Sequence, residues 1–590
     1  MLSLSYFSSE AYIIDMLCRL RVKLAHHRNK NHLIHLHTTA KKHNYHVSQG
    51  TKGEELLTSL FPPRKQWRTV VRRKRMKNGV PRSSTEKTML SLQATLRYYR
   101  YNRPDAPCLS RLDNFIKEVQ DGIYGGAYKI GVPKIIPKLK EDKASQTGVN
   151  ICRPIASFEL KDKLILSITN RYLTAIFDRY FIDHSFAFRS KRTIKGKRMC
   201  PTHHDSVEEI LSYRKLFPAG TLHVAECDMM KFFDTVNHTV IKKIFNQFFG
   251  RKGMECYPAK DLSNARRILY NYLDVYTFNK TVLPLNLKQS HFDRFKIPNG
   301  EYAWVGNELI SNGYYKRLAR AKIGIPQGGA LSGLIANVVL HGVDRKITAM
   351  QDGKLLYLRF CDDMLIIHPN KEKCNHAFQQ YLSGLRKKKL VVHPPVDPPY
   401  LTAKKFWSEK SKSCYKWGNE STMGSPWIGF VGYEIHYEGH IRVRKSSLLK
   451  EMKKQFRVVG DLKLILKDPH CRSGKGSIYE SVASRLIGMS VGRVTLWNYN
   501  QIVNEMCWVS GYRLLSDNKY SRIQLKRLDS SRNRLLLKLR MLLAKMQSEV
   551  KPNAEDEQEN IKMTESIYYG SPFSYYYQAL KARESNPQHT

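Results

Sequence analysis

The stretch LLYLRFCDDMLIIH at residues 355–368 is the most informative part of this chain. Two short apolar runs of β-forming residues flank a polar break, a pattern that predicts a β-hairpin. The break carries two adjacent carboxylates, Asp362 and Asp363. Burying such a pair without a cation costs free energy, and bound divalent cations would remove that cost. The stretch therefore predicts a hairpin whose turn presents carboxylates to metal ions.

Two upstream segments extend this interpretation. Residues 222–234 read LHVAECDMMKFFD, in which Asp228 ends a strand-like run. A third carboxylate at this place could meet the hairpin across a neighbouring strand. Residues 324–333 read GIPQGGALSG and are followed by an apolar run, which predicts a Gly-rich turn that leads into a helix. Glycines in such a turn allow the backbone to come close to a nucleotide or a base pair.

Together these segments resemble the palm motifs of reverse transcriptases, in particular those of the bacterial group II intron type. That family shows an Asp followed by Phe-Phe-Asp, a Pro-Gln-Gly with a downstream Ser, and a Tyr-Ala-Asp-Asp preceded by an Arg. The corresponding segments here, in the same order, are residues 228–234, 326–332 and 359–363. Further blocks that resemble the family are residues 153–155, 185–189, 340–344 and 430–433.

The resemblance covers roughly residues 115–445 and implies an α+β fold with the right-hand architecture of polymerases. We expect fingers, an RRM-like palm with an antiparallel sheet, and a helical thumb. The predicted segments are a basic N-terminal extension (1–90), fingers (91–220), palm (221–445, with an insertion at about 250–322), thumb (446–546), and an acidic linker with an aromatic tail (547–590). Helices are predicted over residues 240–249 and 521–546, and the tail aromatic residues are expected to dock on the body.

The resemblance also implies the chemistry of the carboxylates. Asp228 and Asp362 are the expected catalytic metal ligands, and Asp363 is the expected supporting carboxylate. In phosphoryl transfer, two metal ions clamp the attacking and leaving oxygens, and catalysis consists mostly of positioning and charge neutralisation. Hard oxygen ligands favour two Mg²⁺ ions, with Mn²⁺ as the alternative.

Nucleotide-binding residues follow from the same motifs. Phe233 lies where the family places an aromatic ring that excludes a ribose 2′-hydroxyl, although a second interpretation makes it a core residue. Gln327 and Gly328 are expected near the nascent base pair. Arg153 and Arg189 could bind the incoming triphosphate, because arginine makes forked contacts with phosphate. For Arg189, a structural ion pair is an equal alternative.

Nucleic-acid contacts are predicted at further positions. The block at residues 430–433 resembles the primer-grip turn, for which we expect Gly432 and Tyr433. Basic residues interleaved with aromatic rings suit single-stranded RNA. The residues of this kind in the N-terminal part are Arg64, Trp67, Arg72, Arg73, Arg75, Tyr98 and Tyr99.

The overall charge agrees with a nucleic-acid partner. The chain has 590 residues with 99 Lys+Arg against 51 Asp+Glu, a formal net charge of +48. Such an excess implies a polyanionic partner. No apolar run is long enough to span a bilayer, so no membrane partner is expected. Eleven cysteines without paired spacing indicate a reducing compartment, and we expect a bacterial cytoplasmic protein.

The resemblance therefore predicts an RNA-directed DNA polymerase that uses deoxynucleotides and an RNA template to make a DNA product. Phe360 and Cys361 replace the usual Tyr-Ala, and Gly333 replaces the usual Pro. These departures, together with the absence of recognisable endonuclease and ribonuclease-H blocks, suggest anti-phage defence with an associated non-coding RNA. The alternatives are a group II intron reverse transcriptase and maturase, and a non-catalytic RNA-binding protein. A companion protein or a homo-oligomer stays open.

Overall fold

The computed structural model describes residues 3–30, 52–77, 80–140, 148–194, 197–218, 220–350, 352–397, 406, 408–420, 424–466, 475–491, 507–548, 570–578 and 580. The chain divides into two compact units. The first comprises Met1–Leu17, Ser59–Phe61 and Asp105–Val431. The second comprises Cys18–Thr58, Pro62–Pro104 and Gly432–Thr590. The predicted N-terminal extension (1–90) is thus divided between the two units, and the five predicted segments remain predictions.

The N-terminal hundred residues contribute short elements to both units. They form α1 (Leu4–Phe7), α2 (Glu10–Lys30), α3 (Lys52–Ser59), β1 (Met76–Lys77), β2 (Val80–Pro81) and α4 (Ser84–Asn102). Helix α4 begins with a capping box, in which Ser83 accepts a hydrogen bond from the Glu86 amide and Glu86 accepts one from Ser83. Such a box satisfies amide donors that would otherwise lack partners at the start of a helix.

The first unit continues with alternating helices and strands. Up to the centre of the unit these are α5 (Pro107–Tyr124), β3 (Lys134–Leu139), β4 (Asn150–Ser157), α6 (Leu160–Phe177), β5 (Arg192–Ile194), β6 (Lys197–Met199), α7 (His203–Leu216), β7 (Leu222–Asp228), α8 (Phe232–Thr235), α9 (His238–Phe249), α10 (Ala259–Asp274), α11 (Gln289–Asp293), β8 (Gly300–Glu301) and α12 (Gly306–Ser311). Beyond it follow α13 (Ser332–Thr348), β9 (Leu356–Phe360), β10 (Asp363–His368), α14 (Lys371–Lys387), β11 (Lys412–Trp417) and β12 (Trp427–Phe430).

A four-stranded antiparallel sheet lies at the centre of the first unit. Its strand order is β11-β7-β10-β9, so the hairpin strand β10 lies beside β7. Both strands are mostly buried, as expected for strands in the middle of a covered sheet, and their polar residues include the acids at the ends next to the turn. Helix α13 is also buried along most of its length, and α14 packs against α13, β7 and β10. These helices keep the sheet, and hence its turn, in place.

A second, smaller sheet lies next to the Gly-rich segment. Its strand order is β3-β4-β8, with β3 and β4 antiparallel and β4 and β8 parallel. The amide of Ala156 in β4 donates to the carbonyl of Gln327 at 2.9 Å. This sheet therefore holds the backbone of the Gly-rich segment from one side.

The second unit is built mainly from helices. After β13 (Tyr433–His436) and β14 (Ile441–Val443) come α15 (Lys445–Leu466), α16 (Lys475–Val491), α17 (Trp508–Gly511) and α18 (Lys519–Ser548). Buried side chains of α15, α16 and α18 form its core, among them Val459, Val482, Leu486, Leu536 and Leu539. The C-terminal Phe573 and Tyr576 are buried and contact the Trp508 ring at 5.5 and 6.3 Å between centroids.

The structure confirms several predicted elements. The chain combines helices with antiparallel sheets, and the 355–368 stretch forms the hairpin of β9 and β10. The helix predicted over 240–249 spans His238–Phe249, and that predicted over 521–546 spans Lys519–Ser548. The tail aromatic residues 573 and 576 dock as expected, whereas the predicted acidic linker lies outside the described residues. In the part of the chain that the structure describes, no helix has the length and apolar character needed to span a membrane.

Candidate active site

The three predicted carboxylates lie together at one end of the central sheet. Asp228 is the last residue of β7, and it is directly opposite Asp363, the first residue of β10. Directly opposed residues of antiparallel strands have Cβ atoms about 5 Å apart. Asp362 lies in the two-residue turn that joins β9 to β10. Residues more than 130 positions apart in sequence thus form one acidic cluster.

The negative charges in the acidic cluster repel one another. Burial raises the pKa of Asp362, and the neighbouring charge of Asp228 raises it further. Asp363, in contrast, is exposed. Repulsion between two carboxylates is what a shared cation relieves.

Lys410 and His393 complete the surroundings of Asp228. The Lys410 ammonium donates to Asp228 Oδ2 at 2.8 Å, and His393 Nε2 lies 3.7 Å from the same oxygen. The Lys410 ammonium also lies 3.1 Å from His393 Nε2. Neither residue was predicted from the sequence. The only available signal was the position of Lys410 just before the strand-like residues 412–417, which pair with β7.

The carboxylates can accommodate divalent cations as a small ligand set. Among the residues that the structure describes, no three His, Cys, Asp or Glu side chains form a ready-made metal cage. Magnesium in phosphoryl-transfer sites is usually bound by one or two carboxylates together with substrate phosphates, rather than by a cage made of protein alone. Asp228 and Asp362, whose charges repel one another, fit that pattern.

The hairpin turn is fixed from behind by a buried ion pair. Arg359 is fully buried, and its guanidinium donates to both carboxylate oxygens of Asp344 at 2.8 and 2.7 Å. A further guanidinium N–H donates to the carbonyl of Cys361 at 2.9 Å. Cys361 has a left-handed φ of 60°, so this bond helps hold a conformation that few residues adopt. Cys361 itself is buried.

The two adjacent phenylalanines differ in exposure. Phe232 is buried, whereas Phe233 is partly exposed, and the rings meet edge to face at 5.3 Å. The carbonyl of Phe233 accepts a hydrogen bond from the Ile325 amide at 2.7 Å, which places it beside the Gly-rich segment. Of the two rings, only that of Phe233 is open to a ligand.

Gln327 and Gly328 lie in the Gly-rich segment that precedes α13. Gln327 Nε2 donates to Asp234 Oδ1 at 2.7 Å. Gly328 is exposed and has a φ of 85°, which favours glycine. Gly333 has a different reason to lack a side chain, because a Cβ there would lie 2.5 Å from the Phe188 ring. A larger residue at this position would require the Phe188 side chain to move.

The two predicted triphosphate-binding arginines differ. Arg153 is exposed on β4. Arg189 is buried, and its guanidinium donates to the Asp178 carboxylate at 2.8 Å and to the carbonyls of Ile182 and Ser185. The prediction that Arg189 binds nucleotide is therefore wrong, and the ion-pair alternative is confirmed, since its donors are used within the protein.

In the second unit, Tyr433 is also unavailable to a ligand. It is fully buried, its ring packs edge to face on Tyr512, and its hydroxyl donates to the Gly511 carbonyl at 3.4 Å. Only backbone atoms of the Gly432–Tyr433 turn, where Gly432 has a φ of 93°, could contact a primer. The ring of Tyr433 belongs to the core, and the primer-grip role of the turn stays a prediction.

In the predicted RNA-binding segment of the second unit, the cationic side chains are exposed, whereas the aromatic rings are buried or lie against arginine side chains. Arg64, Arg72, Arg73 and Arg75 are exposed. Tyr99, however, is buried and donates to Gln66 Oε1 at 2.8 Å, so its predicted stacking role is wrong. The rings of Trp67 and Tyr98 are covered by the guanidinium groups of Arg21 and Arg68 at 5.1 and 4.3 Å. Both residues are partly exposed, and their contact with RNA stays a prediction.

Part of the first unit matches a known protein family. Residues 138–395 match the family model described as "Reverse transcriptase (RNA-dependent DNA polymerase)". This range contains the three carboxylates and the Gly-rich segment. No curated protein matches the chain.

Several solved structures resemble the chain weakly. An apo telomerase from Candida tropicalis, truncated from the C-terminal domain, is 13% identical with a TM-score of 0.32, and the match covers 61% of this chain and 68% of that one. A telomerase from Candida albicans in complex with a TWJ fragment of telomeric RNA is 12% identical with a TM-score of 0.31, covering 78% and 71%. The corresponding Candida tropicalis complex is 12% identical with a TM-score of 0.33, covering 79% and 76%.

Proposed function

We propose that this protein copies an associated RNA into DNA by two-metal nucleotidyl transfer. Its reverse transcriptase domain makes it an RNA-directed DNA polymerase, which is a nucleotidyltransferase. The observation that carries the two-metal proposal is the register of the central sheet, which sets Asp228 opposite Asp363 and beside the turn that holds Asp362. Bound Mg²⁺ or Mn²⁺ would neutralise charge on the attacking and leaving oxygens. Asp228 and Asp362 would hold the ions, and Asp363 would support them.

Residues around the carboxylates have separate roles in this proposal. Lys410 compensates the charge of Asp228, to which it is bound. The partly exposed Phe233 excludes a 2′-hydroxyl, and Gln327 and Gly328 bind the nascent base pair beside it. Arg153, which is exposed, binds the triphosphate. The first unit then supplies palm and fingers, and the helical second unit supplies the thumb.

The test is primer extension on an RNA template with Mg²⁺. The double variant Asp362→Ala/Asp363→Ala and the single variant Asp228→Ala should each lose about a thousandfold in rate or more, because the metal ions contribute several kcal/mol. A matched control is Asp517→Ala, which removes an exposed carboxylate paired with Arg522 in the second unit. Equal synthesis by the wild type and the double variant would refute the proposed roles. RNA binding without any synthesis by the wild type would instead favour the non-catalytic RNA-binding protein.

For the biological role, we infer anti-phage defence in the bacterial cytoplasm with a dedicated non-coding RNA. Support comes from the departures at Phe360, Cys361 and Gly333, which distinguish this chain from the group II intron pattern that it otherwise resembles. Sequencing the nucleic acid that copurifies with the protein, before and during infection, tests this role. One recurrent RNA with complementary DNA that accumulates during infection is expected. Recovery of intron RNA would favour the alternative of a group II intron reverse transcriptase and maturase.

A further inference from the structure

Asp234 is a buried acid in the first unit whose purpose the proposed mechanism leaves open. It lies in α8, next to Phe233, and its side chain is fully buried. Its Oδ1 accepts a hydrogen bond from Gln327 Nε2 at 2.7 Å. Its Oδ2 is also buried and has no hydrogen-bond partner among the residues that the structure describes. Within that part of the chain, the side-chain hydrogen bond of this carboxylate goes to the Gly-rich segment.

The backbone of the Gly-rich segment is held without help from the Asp234 side chain. The amides of Gly324 and Ile325 donate to the carbonyls of Val236 and Phe233 at 2.9 and 2.7 Å. On the other side, the Ala156 amide donates to the Gln327 carbonyl at 2.9 Å.

The turn after Gln327 has its own anchor. Ser332 Oγ donates to the Pro326 carbonyl at 2.6 Å and lies 2.7 Å from the Tyr272 hydroxyl. The fold of the segment is therefore secured by other groups, and the bond to Asp234 fixes the Gln327 side chain specifically.

That bond also determines which end of the Gln327 amide is turned away from the interior. An ionised carboxylate only accepts hydrogen bonds, so it requires the amide nitrogen of Gln327 as its donor. The carbonyl oxygen, Oε1, is then left to accept from a donor outside this pair. Gln327 is partly exposed, as is Phe233, whose carbonyl is bonded within the same segment.

Building on the proposed function, we propose that Asp234 is a positioning residue that orients the Gln327 amide, so that Oε1 is offered as an acceptor to the incoming deoxynucleotide. The ligand class is a nucleoside triphosphate bound beside Phe233. Asp234 acts on this ligand only through Gln327, and it touches neither the metal ions nor the reacting phosphate.

Burying the Asp234 carboxylate costs folding free energy, which supports a functional role for this residue as a positioning group. Burial raises the pKa of Asp234 to about 6, against the opposing effect of Lys231, the hydrogen bond from Gln327, and the charges of Arg153 and Lys140. A buried carboxylate oxygen without a partner destabilises the folded state, and an apolar side chain of similar volume would avoid that cost. Strain of this sort persists where the structure needs a particular group in a particular place.

The experiment is single-nucleotide primer extension with the full chain, measuring kcat and the KM for deoxynucleotide. The variants are Asp234→Leu, Asp234→Asn, Gln327→Met and the double variant Asp234→Leu/Gln327→Met. We expect Asp234→Leu to raise the KM about 10- to 100-fold, as expected for loss of a hydrogen bond to a charged group, with a smaller change in kcat. Asp234→Asn retains an acceptor oxygen and should stay close to the wild type.

The double variant separates positioning from a merely structural effect. If Asp234 acts through Gln327, the double variant should be no worse than Gln327→Met alone, because the interaction is already lost. The inference would be overturned if the KM of the double variant rose by the product of the two single effects. It would also be overturned if Asp234→Leu left the KM unchanged. The control is Asp162→Asn, another buried carboxylate, which accepts from the Tyr128 hydroxyl and the Gly131 amide. It should keep the wild-type KM.

Two further outcomes are distinguishable. If Asp234→Leu does not fold, as judged by its melting transition, Asp234→Ala replaces it. A raised KM in Asp234→Ala together with a normal KM in Asp234→Asn supports the inference, and a normal KM in Asp234→Ala rejects it. A wild-type protein that incorporates no nucleotide refutes the proposed function itself, whereas an active wild type with no effect in the variants refutes only the role of Asp234.

Discussion

At the scale of single residues, the choice between deoxynucleotides and ribonucleotides should rest on Phe233. Its ring is partly exposed, whereas that of Phe232 is buried in the core. Removing the ring in Phe233→Ala should raise the ratio of ribonucleotide to deoxynucleotide incorporation by about 10- to 100-fold, since a steric contact of one group is worth 1–3 kcal/mol. Competition assays with matched nucleotide pairs measure this ratio. Phe233→Tyr retains the ring and is the control, and an unchanged ratio in Phe233→Ala would reject the assignment.

Asp234 also predicts a pH-dependent change in stability. Its pKa rises from 3.8 to about 6 on folding, so the folded state disfavours the charged form. Above pH 6 the Asp234 carboxyl is ionised in both the folded and the unfolded state. The shifted pKa then lowers the free energy of unfolding of the wild type by about 3 kcal/mol, relative to a protein in which this pKa is not shifted. As the pH falls from 6 towards 4, the folded state takes up the proton first, and that penalty disappears. Asp234→Asn should therefore be more stable than the wild type at pH 8, and the difference should shrink at pH 5.

Thermal melts of both proteins at several pH values measure that difference. Asp162→Asn is a useful comparison, because burial raises the pKa of Asp162 although its hydrogen bonds from Tyr128 and Gly131 oppose the rise. That carboxylate has partners, so its replacement should not stabilise the protein in the same way. A difference for Asp234→Asn that does not vary with pH would contradict the shifted pKa.

At the scale of elements, the β9–β10 hairpin depends on the buried pair of Arg359 and Asp344. Arg359→Met leaves the Asp344 charge buried without its cation and frees the Cys361 carbonyl. We expect a loss of about 3–5 kcal/mol in stability, together with lower polymerase activity as the turn loosens. The double variant Arg359→Met/Asp344→Leu should recover much of the stability, because no unpaired charge remains. Denaturant unfolding measures both effects, and a double variant as unstable as the single one would contradict the explanation.

Several helices and strands could be predicted from the sequence. The hairpin, the helix at His238–Phe249 and the long helix at Lys519–Ser548 follow from local periodicity, which depends on neighbouring residues alone. The meeting of Asp228 with the hairpin was expected because Asp228 ends a strand-like run, and the register of β7 and β10 brings it opposite Asp363. Lys410 and His393 were missed because their place beside Asp228 depends on how β11 and the preceding loop pack against β7.

Errors in the predicted site residues have a common physical cause. Arg189 and Tyr99 have side chains that suit ligands, but each is buried and bonded within its own unit. Residue type alone does not distinguish a binding side chain from one that satisfies the core. The bond between Asp234 and Gln327 is equally invisible in sequence, since it joins residues 93 positions apart.

At the scale of the whole molecule, the net charge of +48 predicts RNA binding that weakens steeply with salt. Each phosphate contact with single-stranded RNA contributes about 0.7 to the slope of log K against log salt. Arg72, Arg73 and Arg75 are exposed, so replacing all three by Gln should lower the magnitude of the slope by about 2 if each binds one phosphate. Filter binding across a salt series measures this slope. Asp362→Ala/Asp363→Ala should bind at least as tightly as the wild type, and an unchanged slope in the triple variant would place the RNA elsewhere on the protein.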